Sequence, residues 1–154
     1  MSFKRNIIED KDIRKKLLDF LSRREHSFKE IKEKLSARFE NKEIIESVIE
    51  KLRDNNLVNN TRYAEAYVSA RKRKGFGPKK IAFELSSKGV DESVTNSVII
   101  EEGDWELAAK LAFSKKFKDG PSSDTKEKLK QKSFLQNRGF RFKEIESVFG
   151  NDML

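Results

Sequence analysis

Cysteine is absent from the 154 residues and histidine occurs once, at His26. Disulfides, thiolate ligands and the usual zinc constellations are therefore excluded, and no metal or other cofactor is expected. Proline occurs twice and glycine seven times, and β-favouring runs are few, which points to an all-α chain. Long apolar runs are missing too. The opening MSFKRNIIED holds only Ile7-Ile8 in succession, far short of a secretory signal core, and no later run approaches a membrane span. The expectation is a cytoplasmic protein with no membrane partner. Apolar content of 36% against 39% charged is lean for a single compact sphere and suits an elongated helical form.

The net charge of +8 is unevenly spread. Residues 1–61 carry 15 basic against 12 acidic groups, residues 91–106 carry six acids and no base, and residues 110–143 carry 11 bases against three acids. The densest stretch lies between: Arg62 to Lys88 holds eight Lys or Arg against only Glu65 and Glu84. Within it, apolar residues at helical spacing (Tyr63, Tyr67, Val68) lead into Arg71, Lys72, Arg73 and Lys74, then Gly75-Phe76-Gly77-Pro78, then a second helical pattern ending at Gly89. That reads as a helix, a tight basic turn and another helix, and its natural counterpart is an anion or an acidic protein face.

Shifting the chain by 50 residues superposes Ile13 on Tyr63, Leu17 on Tyr67, Ile31 on Ile81, Leu35 on Leu85, Val48 on Val98 and Ile49 on Ile99. A second shift brings Leu85 onto Leu135, Gly89 onto Gly139 and Val98 onto Val148, and Ser-Val-Ile or Ser-Val-Phe begins at 47, 97 and 147. The period predicts three tandem three-helix repeats, 1–58, 59–103 and 104–154, in an elongated, curved array whose hand is left open. In the first repeat Ile13, Leu17, Leu18, Phe20 and Leu21 share a face that Asp10 or Asp12 can cap. Ser27 with Glu30 forms a capping-box signature before Phe28, Ile31 and Leu35, and Ile44, Ile45, Val48, Ile49 and Leu52 make a third face. The second repeat has helices over about 61–74, 78–88 and 91–101, with Asn59, Asn60 or Thr61 as cap. In the third, Trp105, Ala108, Leu111 and Ala112, then Leu129, Phe134 and Leu135, then Phe142, Ile145, Val148 and Phe149 close the core, with a loop over 118–124.

Catalytic chemistry finds little support. Glu65 and Glu84 read as surface helix residues in local ion pairs, Glu84 with Lys88 at i, i+4, and His26 reads as a polar turn residue. GFGP has neither the spacing nor the preceding strand of a phosphate loop. SFKEIKEKL resembles the entry to a helix-turn-helix, but Glu43, Glu46 and Glu50 on the following helix would face phosphates badly. A lysine-rich helix face is ordinarily only solvated. Lys79 and Lys80, however, sit at a helix N-terminus, where positive charge is unfavourable. The binding candidates are therefore Arg71, Lys72, Arg73, Lys74, Lys79, Lys80 and Lys88, with Phe76 as an exposed aromatic contact and Tyr63 and Tyr67 as core. No catalytic or metal-ligating residue is named.

From Leu57-Val58 through YAEAYVSARKRKGFGPKKIAFELSSKGV the chain resembles the RecX family of bacterial recombination regulators. Tyr63, Ala64, Tyr67, Val68, Arg71, Gly75, Gly77, Ile81, Leu85, Lys88, Gly89 and Val90 carry the likeness. Asn59-Asn60 departs from the acids the family tends to have there, and the third repeat matches mostly at 138–140. The resemblance implies three tandem three-helix units in a non-enzymatic monomer that binds the RecA recombinase filament on DNA. It further implies inhibition of filament extension, ATPase, strand exchange and co-protease activity in recombination and the SOS response. Weak, salt-dependent contacts to single- and double-stranded DNA go with it. Two other readings stand beside this one: a stand-alone nucleic-acid-binding helical repeat protein, and a scaffold for an unrelated acidic partner.

Overall fold

Short amphipathic segments, several of them preceded by a side chain able to cap a helix, have too little length to be stable alone and must bury their faces against one another. In the computed structural model, which describes residues 3–150, they form nine α-helices, with no strand among the described residues. These are α1 (Phe3–Arg23), α2 (Phe28–Ser36), α3 (Lys42–Asp54), α4 (Asn60–Arg73), α5 (Pro78–Ser87), α6 (Glu92–Glu102), α7 (Trp105–Lys116), α8 (Thr125–Asn137) and α9 (Phe142–Val148). The helices divide between two compact units. One comprises the described residues up to Ala64 together with Lys88–Val90, and the other Glu65–Ser87 and the described residues from Asp91 onward.

In the first unit α1 packs on α3 and α2, and α2 on α3. Their shared core contains Ile13, Leu17, Phe20, Ile31, Leu35, Ile45, Val48, Ile49, Leu52 and Val58. Ser27 caps α2 as its sequence predicts: Oγ accepts from the Glu30 N–H at 3.1 Å while the Glu30 carboxylate accepts from the Ser27 N–H at 3.2 Å. Asn41 caps α3 through the Ile44 N–H. The helix α1 starts at Phe3, so Asp10 and Asp12 lie inside it and do not cap it. An interior Asp costs only several tenths of a kcal/mol, roughly, and each here has a cation four residues on, Arg14 or Lys16. Leu18 turns outward, away from the Ile13, Leu17 and Phe20 face.

The division between units falls inside α4, although the sequence period opens its repeat at residue 59. The first turn of α4 is tied to the first unit by polar contacts. Asn59 caps it through the Arg62 N–H at 2.9 Å, the Asn60 side chain accepts from the Phe28 N–H at 2.9 Å, and Arg62 Nε donates to Glu25 at 2.7 Å.

In the second unit α5 packs on α6, α7 on α8 and α9, and α8 on α9. Buried positions include Val68, Ile81, Leu85, Val98, Ile99, Ala108, Ala109, Ala112, Phe113, Leu135, Phe140 and Ile145. Trp105 anchors α7 as expected, buried with its indole N–H donating to the Ile99 carbonyl at 2.8 Å. Three apolar residues assigned to this core are instead exposed: Leu111, Leu129 and Phe142. Their places go to Ala109 and Phe113, to Gln131 and to Phe140. Gln131 replaces an apolar residue because it pins the 118–124 loop. Its Oε1 accepts from the Ser122 N–H at 3.0 Å and its Nε2 donates to the Gly120 carbonyl at 3.2 Å, so both ends of the buried amide are satisfied.

Candidate interaction site

The turn joining α4 to α5 is held against the turn joining α8 to α9 by main-chain pairing. The Gly77 N–H donates to the Arg138 carbonyl at 2.8 Å, and the Lys79 N–H to the Gly139 carbonyl at 2.9 Å. Only glycines allow the approach. A Cβ on Gly77 would lie 2.5 Å from the Gly139 carbonyl carbon, and one on Gly139, whose φ is +97°, would collide with Lys80. Two glycine turns far apart in sequence thus interlock inside one unit, and the cations of both are brought to one place.

Phe76 is the centre of that place. The Arg71 guanidinium lies 3.8 Å from its ring centroid, Arg138 4.8 Å and the Lys80 ammonium 5.1 Å. The ring is half-buried beneath these groups, so the freely exposed aromatic contact expected at Phe76 is not what the fold presents. Cations attract the ring's negative face and cover it.

The four consecutive cations separate into two pairs. Arg71 sends Nε and Nη2 to the two carboxylate oxygens of Glu84 at 3.0 and 2.7 Å, and the Tyr67 hydroxyl donates to the same carboxylate at 2.9 Å. Glu84 therefore pairs across the helical hairpin with Arg71, and not with Lys88 four residues on and past the end of α5, because a fork of two parallel bonds outcompetes a single flexible ammonium. Burial pushes the Glu84 carboxyl up, but the bonds from Arg71 and Tyr67 together outweigh it and hold the group below its ordinary value. Lys72 donates to Glu102 at 3.1 Å and to the Gly103 carbonyl at 2.8 Å, with its ammonium 5.3 Å from the Trp105 ring. The acidic run after residue 90 thus neutralises part of the basic one.

Arg73 and Lys74 are exposed, and Arg73 donates only to the Ser69 hydroxyl, at 2.9 Å. Neither has a carboxylate partner among the described residues, and the same holds for Lys79, Lys80 and Arg138. Lys88 belongs to the first unit, where its ammonium lies 3.7 Å from Glu30. Tyr63 is buried and Tyr67 half-buried. Arg138 is the residue that sequence reasoning missed. Its glycine was legible as the third copy of a turn, but nothing in the spacing says that this turn docks on Gly75–Gly77.

For chemistry, the arrangement offers charge and shape. Among the described residues no group of three His, Asp or Glu side chains could hold a metal ion, and no helix is long and apolar enough to cross a membrane. Glu84 is locked in an ion pair. What the second unit presents outward is a set of cations without a carboxylate partner on two interlocked turns, suited to binding anionic groups.

Fold and site together define a class: all-α proteins built from repeated three-helix units, here with cations exposed at a helical turn. Within it the sequence matches the first RecX three-helix domain over residues 14–52, the second over 59–99 and the third over 102–149. The chain belongs to the RecX family of regulatory proteins. It is 34% identical over 143 residues to the regulatory protein RecX of Pseudomonas fluorescens, covering 92% of each chain. It is 40% identical over 129 residues to that of Vibrio parahaemolyticus, covering 83% of each. The crystal structure of RecX from Lactobacillus salivarius shares the fold with a TM-score of 0.77 at 23% identity, over 96% of this chain and 99% of that one.

Proposed function

We propose that this protein binds the filament that RecA recombinase forms on DNA and restrains it, lowering ATP hydrolysis, strand exchange and co-protease activity in recombination and the SOS response. It does so in the cytoplasm, by binding alone and without catalysing a reaction. The observation that carries this reading is the match of all three RecX domains in order along the chain. The candidate contact residues are Arg73, Lys74, Lys79, Lys80 and Arg138, whose charge is not consumed within the fold. Arg71, Lys72 and Phe76 shape the platform that carries them. Adding the purified protein at stoichiometric amounts to RecA on single-stranded DNA is expected to reduce ATP turnover. An unchanged rate across a tenfold excess, roughly, ends the proposal.

A second reading is favoured by those same unpaired cations: direct binding to the phosphate backbone of DNA without RecA. It requires an affinity that falls steeply with salt and a shallower salt slope in the Arg73→Gln, Lys74→Gln double variant. An affinity indifferent to salt excludes it.

A further inference from the structure

The first unit contains a second cationic centre, built at the junction of α1 and α2. A cavity of about 690 Å³ opens there, lined by Phe20, Arg23, Arg24, His26, Lys34 and Arg38. Three cations converge on the Phe20 ring: Lys34 at 5.0 Å, Lys16 at 5.4 Å and Arg38 at 5.5 Å from its centroid. Lys34 is in the last turn of α2 and Arg38 just past its end, two like charges brought to the same ring.

The protein supplies these cations with almost no counter-charge. Glu30 is taken by a two-bonded pair with Arg24, both contacts at 3.1 Å. Arg23 and Lys16 share the single carboxylate of Asp19, at 3.4 and 3.8 Å. Lys34 and Arg38 have no carboxylate partner among the described residues.

His26 makes the cavity a built one. Its ring is buried and Nδ1 lies 3.0 Å from the Arg24 carbonyl, which can only accept, so Nδ1 carries the proton. Nε2 then has a free lone pair and accepts from the Lys34 ammonium at 2.8 Å. Burial holds His26 below its ordinary value, with Arg24 and Lys34 adding to the shift, so the ring stays neutral and orients Lys34 without cancelling its charge. Burial, then the fields of Arg24, Arg23 and Arg38, lower the affinity of Lys34 for its own proton. The fold holds this cluster against its own repulsion, and a ligand anion would relieve it.

We propose that the cup binds a phosphate group, with Lys34 and Arg38 as its principal ligands and Arg23 at its rim. An ammonium with two donors left over and an exposed guanidinium fork match the several acceptor oxygens of a phosphoryl group. Free phosphate and the phosphates of a nucleic-acid backbone share that chemistry. The cup is complete within the first unit and requires no RecA contact.

His26 is the only histidine, so its imidazole resonances report on this site alone. The full chain is titrated with inorganic phosphate, and separately with a single-stranded oligonucleotide lacking terminal phosphates, at ionic strength matched with sodium chloride. A saturable shift of the His26 signals is expected. Arg38→Gln, on an exposed position that leaves the core untouched, weakens it at least about fivefold, and Lys34→Gln does the same. Saturation by the oligonucleotide identifies a backbone site, and saturation by phosphate alone a site for free phosphate. A drift equal to that of chloride at the same ionic strength, or affinity unchanged in both variants, overturns the proposal.

Discussion

Each unit gathers three cations around one phenylalanine, Phe20 in the first and Phe76 in the second, yet the two clusters differ in how their charge is balanced. The fifty-residue period places Lys34 of the first repeat in register with Glu84 of the second, and His26 in register with Phe76. At one scaffold position, then, one repeat has an acid that locks Arg71, and the other has a base that leans on a neutral imidazole. The same helical hairpin yields a structural ion pair in one copy and an open cationic cup in the other. A repeat conserves its apolar register because packing demands it, while a half-exposed position on that register is free to change sign.

The largest effect is expected where the Phe76 cluster depends on interlocked turns. Gly139→Ala introduces a Cβ into Lys80 at a backbone angle that disfavours side chains, and should destabilise the second unit by about 2–4 kcal/mol. The midpoint of urea unfolding measures it. A change below about 0.5 kcal/mol would mean that the turns separate easily and that Arg138 is not held at Phe76.

A smaller effect separates the two registers directly. Glu84→Gln removes the charge that pairs with Arg71 and should cost about 1–2 kcal/mol, whereas Lys34→Gln should change stability by less than about 0.5 kcal/mol because Lys34 balances no carboxylate. Acidification sharpens the contrast. Glu84 has a folded pKa below its ordinary value, so its contribution is complete above the carboxylate range of the unfolded chain and fades as pH falls through the folded value. Thermal unfolding of the parent and of Glu84→Gln should therefore converge toward strongly acidic pH. If Lys34→Gln proves the more destabilising of the two, the assignment of structural and open clusters is reversed.

The smallest effect lies at His26. Its folded pKa is lowered, so the unfolded chain binds more protons in the window below about pH 6.5. Stability of the first unit is complete above that window and declines as pH falls through it. Protection factors of amides in α1 and α2, that is exchange rates corrected for the intrinsic pH dependence of exchange, should fall between neutral pH and pH near 5.5 in the parent and much less in His26→Gln. An equal fall in both would show that His26 is not the group being protonated.

Much of this was legible because it depends on local rules. The capping box at Ser27 and Glu30, the start of α5 at Pro78, the buried spacing of Ile31 and Leu35 and its copies at Ile81 and Leu85 follow from hydrogen-bonding capacity and a 3.6-residue period. The exposure of Leu111, Leu129 and Phe142 is not legible, because hydrophobicity alone does not say which of two candidate faces is covered. The pairing of Glu84 is hidden for a related reason: Lys88 is near in sequence, but Arg71 is near in space and presents two donors.

By itself, then, the sequence determined the helices, their repetition and the positions at which glycine or a cap is required, since each rests on interactions within a few residues. Tertiary structure alone decided which cations remain available. Arg71 and Lys72 are spent on carboxylates 13 and 30 residues away, Arg138 is delivered to Lys74 from 64 residues away, and Lys34 is steered by a histidine that looked like a turn residue. Charge acts through space and falls off with distance, so whether a cation binds a partner or its own fold is settled only when the chain has brought its acids into place.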